Sequence, residues 1–175
     1  MKKIIVLLIA FLSVYQTYSQ RNIYIGEKKY IATDEWDFSL GSSEELHDFK
    51  NIQLSVLKKG ISGYLMLSYP EFQGAAGSRI FMILENDETI TLTQKIITDD
   101  VDRKTQVLFS ISQIQYKKLK ESDIIKIRFS TGGRNHTANN HYLVEKYDNI
   151  NFKVYWDDHF NYTSEEIRKL DEYKN

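Results

Sequence analysis

The stretch Ile80-Phe81-Met82-Ile83-Leu84-Glu85-Asn86-Asp87-Glu88-Thr89-Ile90-Thr91-Leu92-Thr93 decides the fold class. Five consecutive apolar residues end at Asn86-Asp87, a pair suited to a tight turn. β-branched residues then alternate with apolar ones. The apolar run is too short for a helix of ordinary length and reads as a strand buried on both faces, the best candidate for a central strand. Through the polar loop Asp99-Asp100-Val101-Asp102-Arg103-Lys104 it continues to Gln106–Ile111, which makes a three-stranded meander.

Working outward, Ile23-Tyr24-Ile25 and Lys29-Tyr30-Ile31 flank Gly26-Glu27-Lys28 as a hairpin. In Trp36-Asp37-Phe38-Ser39-Leu40 the alternation puts Trp36, Phe38 and Leu40 on a buried face. Ser42–Leu46 has the makings of one helical turn, followed by strands at Ile52–Leu57 and Tyr64–Ser68, the second ending at Pro70. Gln73–Ser78 is a flexible connection. Between Ser112 and Glu121 the period changes to that of a short helix. The strand Ile124–Phe129 follows it, with Ile125, Ile127 and Phe129 on one face. Thr131–Asn140 is a Gly- and Asn-rich loop, with extended pieces at Tyr142–Val144 and Phe152–Trp156. Thr163-Ser164-Glu165-Glu166 has capping-box spacing for a last helix with Ile167, Leu170 and Tyr173 as its stripe. The whole is mainly β: an antiparallel β-sandwich, or alternatively an open β-barrel, with one short internal helix and a C-terminal helix.

The amino end has the layout of a secretory leader. Lys2 and Lys3 precede nine apolar residues, Ile4 to Leu12, and small residues stand at Thr17 and Ser19. Nine residues at about 1.5 Å each fall well short of the roughly 30 Å of a bilayer core. The expectation is therefore a signal peptide over residues 1–19, cut after Ser19. A single β-rich domain over 20–175 then carries a C-terminal helical tail, with no transmembrane segment once the leader is gone. The mature chain would be periplasmic or secreted.

Losing the two lysines moves the formal charge from −1 to −3, the wrong sign for a phosphate-backbone binder, so nucleic acid is not an expected partner. There is no cysteine, so disulfides and thiolate metal sites are excluded, and stability rests on burial. The 13% of aromatic residues suits a packed sheet.

Two stretches carry a resemblance. One is Lys29-Tyr30-Ile31-Ala32-Thr33 with Trp36 and Phe38. The other runs from Ile80 to Asp87, through Asp99, Asp100 and Asp102, to Leu119–Phe129. Together they resemble small secreted or periplasmic β-rich proteins of unknown function common in Bacteroidota, over about half of the mature chain. Such proteins often carry Pro where this chain has Ile31, and the tail from Thr131 onward has no counterpart among them. The resemblance implies fold and export and transfers no catalytic residue.

Candidate chemistry is sparse. Arg134, His136, His141, Trp156 and His159 form the candidate binding region, spread over the Thr131–His141 loop and the aromatic segment around Trp156. The spacing of His136 and His141 fits neither a helical nor a strand metal site. Asp99, Asp100 and Asp102 could offer oxygen ligands to calcium, although the calcium-loop Gly and bidentate Glu are missing. There is no Gly-x-Ser-x-Gly elbow, zincin helix or phosphate-binding glycine loop, and no cofactor is implied. The leading expectation is a non-catalytic module that binds a small molecule, glycan or protein or is associated with the envelope. A hydrolase using C-terminal His and Asp residues and a calcium-stabilised surface module are the rivals.

Overall fold

A computed structural model describes residues 21–40, 52–70, 74–93, 95–101, 103–147 and 153–173, with the backbone alone for 95–101, 141–147 and 153–159. The leader, the turn at Ser42–Leu46 and Asp102 lie outside the described residues.

The chain is mostly β. Its strands are β1 (Arg21–Ile25), β2 (Lys28–Ala32), β3 (Trp36–Leu40), β4 (Ile52–Lys59), β5 (Ser62–Pro70), β6 (Ala76–Leu84), β7 (Thr89–Leu92), β8 (Lys95–Val101), β9 (Lys104–Ile111), β10 (Ile124–Thr131), β11 (Arg134–Asn139), β12 (His141–Tyr147) and β13 (Lys153–Phe160). Two helices, α1 (Gln113–Glu121) and α2 (Thr163–Glu172), complete it. All described pairings are antiparallel: nine strands follow the order β7-β6-β10-β11-β3-β4-β5-β9-β8, β2 joins the same sheet on β4 and carries β1, and β12 and β13 form a separate two-stranded sheet. The joint between β11 and β3 is only two residue pairs long, Ala138 with Leu40 and Asn139 with Ser39. Here the sheet folds over into two layers without closing into a barrel, a sandwich-like arrangement.

One core fills the space between the layers. Leu54, Val56, Leu65, Leu67, Val107 and Phe109 come from one side, and Ile80, Met82, Ile90, Leu92, Ile127 and Phe129 from the other. α1 connects β9 in the first layer to β10 in the second and adds Tyr116 and Leu119; α2 adds Ile167 and Leu170. Trp36 and Phe38 are buried as their alternation requires.

A second, smaller cluster lies on the outer face of the first layer. Leu57, Tyr64, Met66 and Leu108 are covered there by Ala32 and by Ile23, Ile25 and Tyr30 of the β1–β2 hairpin. β5 is therefore buried on both faces, continuously from Gly63 to Tyr69, and it is the central strand. This corrects the expectation for Ile80–Leu84. Within Ile80–Leu84 only Ile80, Met82 and Leu84 are buried, while Phe81 lies opposite Arg128 and Thr91, and Ile83 opposite Lys126 and Thr89. Polar cross-strand partners mark an outward face.

Other expectations also shift. The meander does not form: β7 pairs with β6, whereas β9 pairs with β5 and β8. The supposed flexible connection already belongs to β6 from Ala76. The Thr131–Asn140 loop is a hairpin, β10 to β11, turning at Gly132-Gly133, both with positive φ. In β10 a bulge between Ile124 and Lys126 offsets the alternation, so Ile124, Ile127 and Phe129 are buried and Ile125 is only partly so.

Helix ends follow local chemistry in one case and tertiary chemistry in the other. Ser112 caps α1 in a reciprocal box: the Gln115 N–H donates to Ser112 Oγ at 3.3 Å and the Ser112 N–H to Gln115 Oε1 at 2.9 Å. The box expected at Thr163 does not form. Thr163 is already the first helical residue, and Asp123, just before β10, takes the capping role by accepting the Ser164 N–H at 2.7 Å. Thr163 Oγ1 instead accepts the Ile124 N–H at 2.8 Å.

Candidate functional site

The β4–β5 turn and the first turns of α1 meet at one end of the molecule and bound an open groove of about 820 Å³. The turn is tight because Gly60 takes φ +58, which a side chain would disfavour, and Ser62 Oγ donates to the Lys59 carbonyl at 3.1 Å. Gly63 brings α1 close. A Cβ there would stand 2.7 Å from the Leu57 carbonyl oxygen and 3.2 Å from the Tyr116 ring. Tyr116 and Leu119 turn inward from α1, which leaves Ile114 and the lysines of the helix facing out.

The groove is cationic and apolar together. Lys58, Lys117 and Lys120 line it, with Asp171 of α2 as the one carboxylate among the described residues. Lys120 Nζ donates to Asp171 at 2.7 Å, Lys58 Nζ stands 3.5 Å from the same carboxylate and donates to the Leu170 carbonyl at 2.8 Å. Burial works to raise the Asp171 pKa, but Lys120 and then Lys58 outweigh it and hold the carboxyl below its usual range. Tyr116, whose hydroxyl donates to Asp171 at 3.4 Å, is pushed far above the ordinary phenol value, by burial first and then by the Asp171 charge. Lys117 is largely exposed, 3.8 Å from Glu121.

Ile61 and Ile114 complete the lining. They are 68% and 72% exposed, and among the described residues the other large exposed hydrophobics are both tyrosines, Tyr24 and Tyr162. The two exposed large aliphatic side chains thus stand on one groove.

The lysines favour the ionised form of Asp171 and burial favours the protonated form of Tyr116, which sets both away from proton transfer near neutrality. The lysines and isoleucines can hold an anion beside an apolar group.

Of the residues singled out from sequence, Arg134 and His136 have described side chains and do not line this groove. Arg134 and His136 are both on β11. His136 Nε2 is 2.8 Å from Thr131 Oγ1, and its ring packs 5.2 Å from that of Phe129. Burial, followed by the Arg134 charge, lowers the imidazole pKa against the opposing contact with Thr131. His141 starts β12 opposite Phe160, His159 lies opposite Tyr142, and Trp156 is in β13; their side chains lie outside the described residues.

Asp99 and Asp100 belong to β8, paired with Gln106 and Thr105, and not to a loop as expected; their side chains are also undescribed. Among the described residues no group of three or more His, Asp or Glu is gathered to hold a metal ion. Likewise, no helix among them is long and apolar enough to cross a membrane.

Sequence reasoning passed over the groove. Its signals were Ile61 beside a turn glycine after two lysines, and Ile114 in a helix with lysines at 117, 118 and 120. Their meeting across the chain is a tertiary fact. No protein-family model, curated protein or solved structure matches the chain.

Proposed function

We propose that this chain is an exported, non-catalytic β-sandwich module that binds a ligand or partner through the groove between the β4–β5 turn and α1. The observation that carries the reading is the gathering of Ile61 and Ile114 with Lys58, Lys117 and Lys120 around one open cavity. Exposed aliphatic surface is costly to leave in water without a use, and a concave site of roughly 300–1,000 Å³ is the usual size for a small ligand. Export rests on the leader-like residues 1–19, and the resemblance to small secreted Bacteroidota proteins agrees with it.

Two measurements test the reading. Mass spectrometry of the protein expressed with its own amino end should find a mature chain beginning at Gln20 outside the cytoplasm; a chain retained inside with Met1 in place overturns export. An amide-shift screen of the folded protein against a panel of anionic, cationic, neutral and sugar fragments tests the site. Shifts should concentrate at Lys58–Ile61 and Gln113–Lys120; shifts confined to other surfaces, or none at all, contradict a binding groove there.

A further inference from the structure

We infer that the groove takes a single-chain anionic amphiphile, one apolar chain ending in a carboxylate or phosphate, as a monomer. This rests on the binding reading above and names its ligand class. Among the described residues three lysines and one carboxylate line the groove, with Glu121 3.8 Å from Lys117 at its margin, on a protein whose mature charge is negative, so the positive excess is local and not a spillover of overall basicity. Lys58 and Lys120 are already positioned, by Leu170 and Asp171, and an ordered ammonium loses less side-chain entropy on meeting an anion than a free one does. An ammonium carries three donors, so a lysine holding an internal acceptor can still offer another to a ligand. Lysine acts as a point charge and not as a planar fork, which favours an anionic head in general over one particular geometry.

Ile61 and Ile114 supply the other half of the specificity. Each methylene moved from water to apolar surface contributes about 0.8 kcal/mol, so an alkyl chain along the two isoleucines adds steeply to the attraction of the head. The methylene stems of Lys117 and Lys120 extend that surface. The isoleucines line a concave groove, which fits a chain entering singly better than the flat face of a bilayer.

The mature protein is titrated with dodecanoate below its micelle concentration, with dodecyltrimethylammonium as the same chain carrying the opposite charge, and with acetate as a head without a chain. Binding is read by calorimetry and by amide shifts. Dodecanoate should bind one to one and shift Lys58–Ile61 and Gln113–Lys120. The cationic detergent and acetate should bind at least tenfold more weakly. Lys117→Glu, and separately the double change Ile61→Ser with Ile114→Ser, should each weaken dodecanoate binding about tenfold or more with Tm unchanged, since all three side chains are exposed.

Equal binding of both detergents, shifts elsewhere, or variants that bind like the parent overturn the inference. So does sedimentation with phosphatidylglycerol vesicles, or capture of a poly-glutamate peptide, in the absence of dodecanoate binding. Fragment hits in the groove with dodecanoate silent sink the amphiphile alone, whereas a groove silent to every probe sinks the binding reading with it.

Discussion

Glu166 and Asp171 sit five residues apart on α2 and respond to pH in opposite directions. Glu166 Oε2 accepts the Trp36 indole N–H at 2.8 Å, and burial, the largest influence, raises its pKa. An acid whose folded pKa lies above the unfolded value of about 4.3 contributes stability that is full below that value and is lost as pH rises through the folded one. Glu166→Gln keeps an oxygen for Trp36 without the charge. Denaturant midpoints from pH 4 upward should therefore show the parent losing stability relative to Glu166→Gln, and parallel curves would contradict the assignment. Asp171, depressed by Lys120 and Lys58, contributes above its unfolded pKa and loses that contribution as pH falls through the folded one.

Asn140 is the clasp between strands and helix. Its Nδ2 donates to the Ile124 carbonyl at 2.6 Å and the Asn161 carbonyl at 2.8 Å, and its Oδ1 accepts the Asn161 N–H at 3.0 Å. Asn140→Ala leaves these buried groups unpaired and should cost about 2–4 kcal/mol in chemical denaturation. Ser55 and Ser68 show the converse. Their hydroxyls are buried without a hydrogen-bond partner, and an unmet hydroxyl costs about 1–3 kcal/mol. Ser55→Ala and Ser68→Ala should therefore leave stability unchanged or raise it.

The individual strands and helices were largely legible where alternation is clean, as at Trp36–Leu40, or where a turn pair is distinctive, as at Asn86-Asp87. Layering was not legible. Ile80–Leu84 is more uniformly apolar than β5, yet β5 is central, because the β1–β2 hairpin covers its outer face and the polar partners of Phe81 and Ile83 turn that side of β6 outward. Hydrogen exchange should record the difference: the amides of Gly63–Tyr69 exchange only on global unfolding, those of Thr89–Leu92 at the sheet edge well before. The Thr163 cap failed for a related reason, since Asp123 from across the fold supplies a better acceptor than local spacing could reveal. Gly63 carries a tertiary requirement of its own. Gly63→Ala forces the Leu57 carbonyl or Tyr116 to move and should cost about 1–3 kcal/mol, with broadened signals at Lys58–Ile61 if the groove loosens along with the packing.

As a whole, the molecule relies on burial without covalent staples, and its two layers, joined at the short β11–β3 contact, share their core with α1 and α2. Segments bearing histidine and aspartate drew attention in the sequence because their chemistry is local. The groove escaped notice because it is made by positions from β4, the β4–β5 turn, α1 and α2, which come together only in the folded chain. The absence of cysteine permits a direct check of that meeting. Cysteines placed at Ile61 and Ile114, both exposed, would be the only two thiols in the protein, and treatment of the folded monomer with a short bis-maleimide reads whether they face one groove. The account predicts efficient cross-linking within one molecule that disappears in denaturant. Thiols that each react singly without joining would show that the two segments do not meet, and the proposed site would not exist.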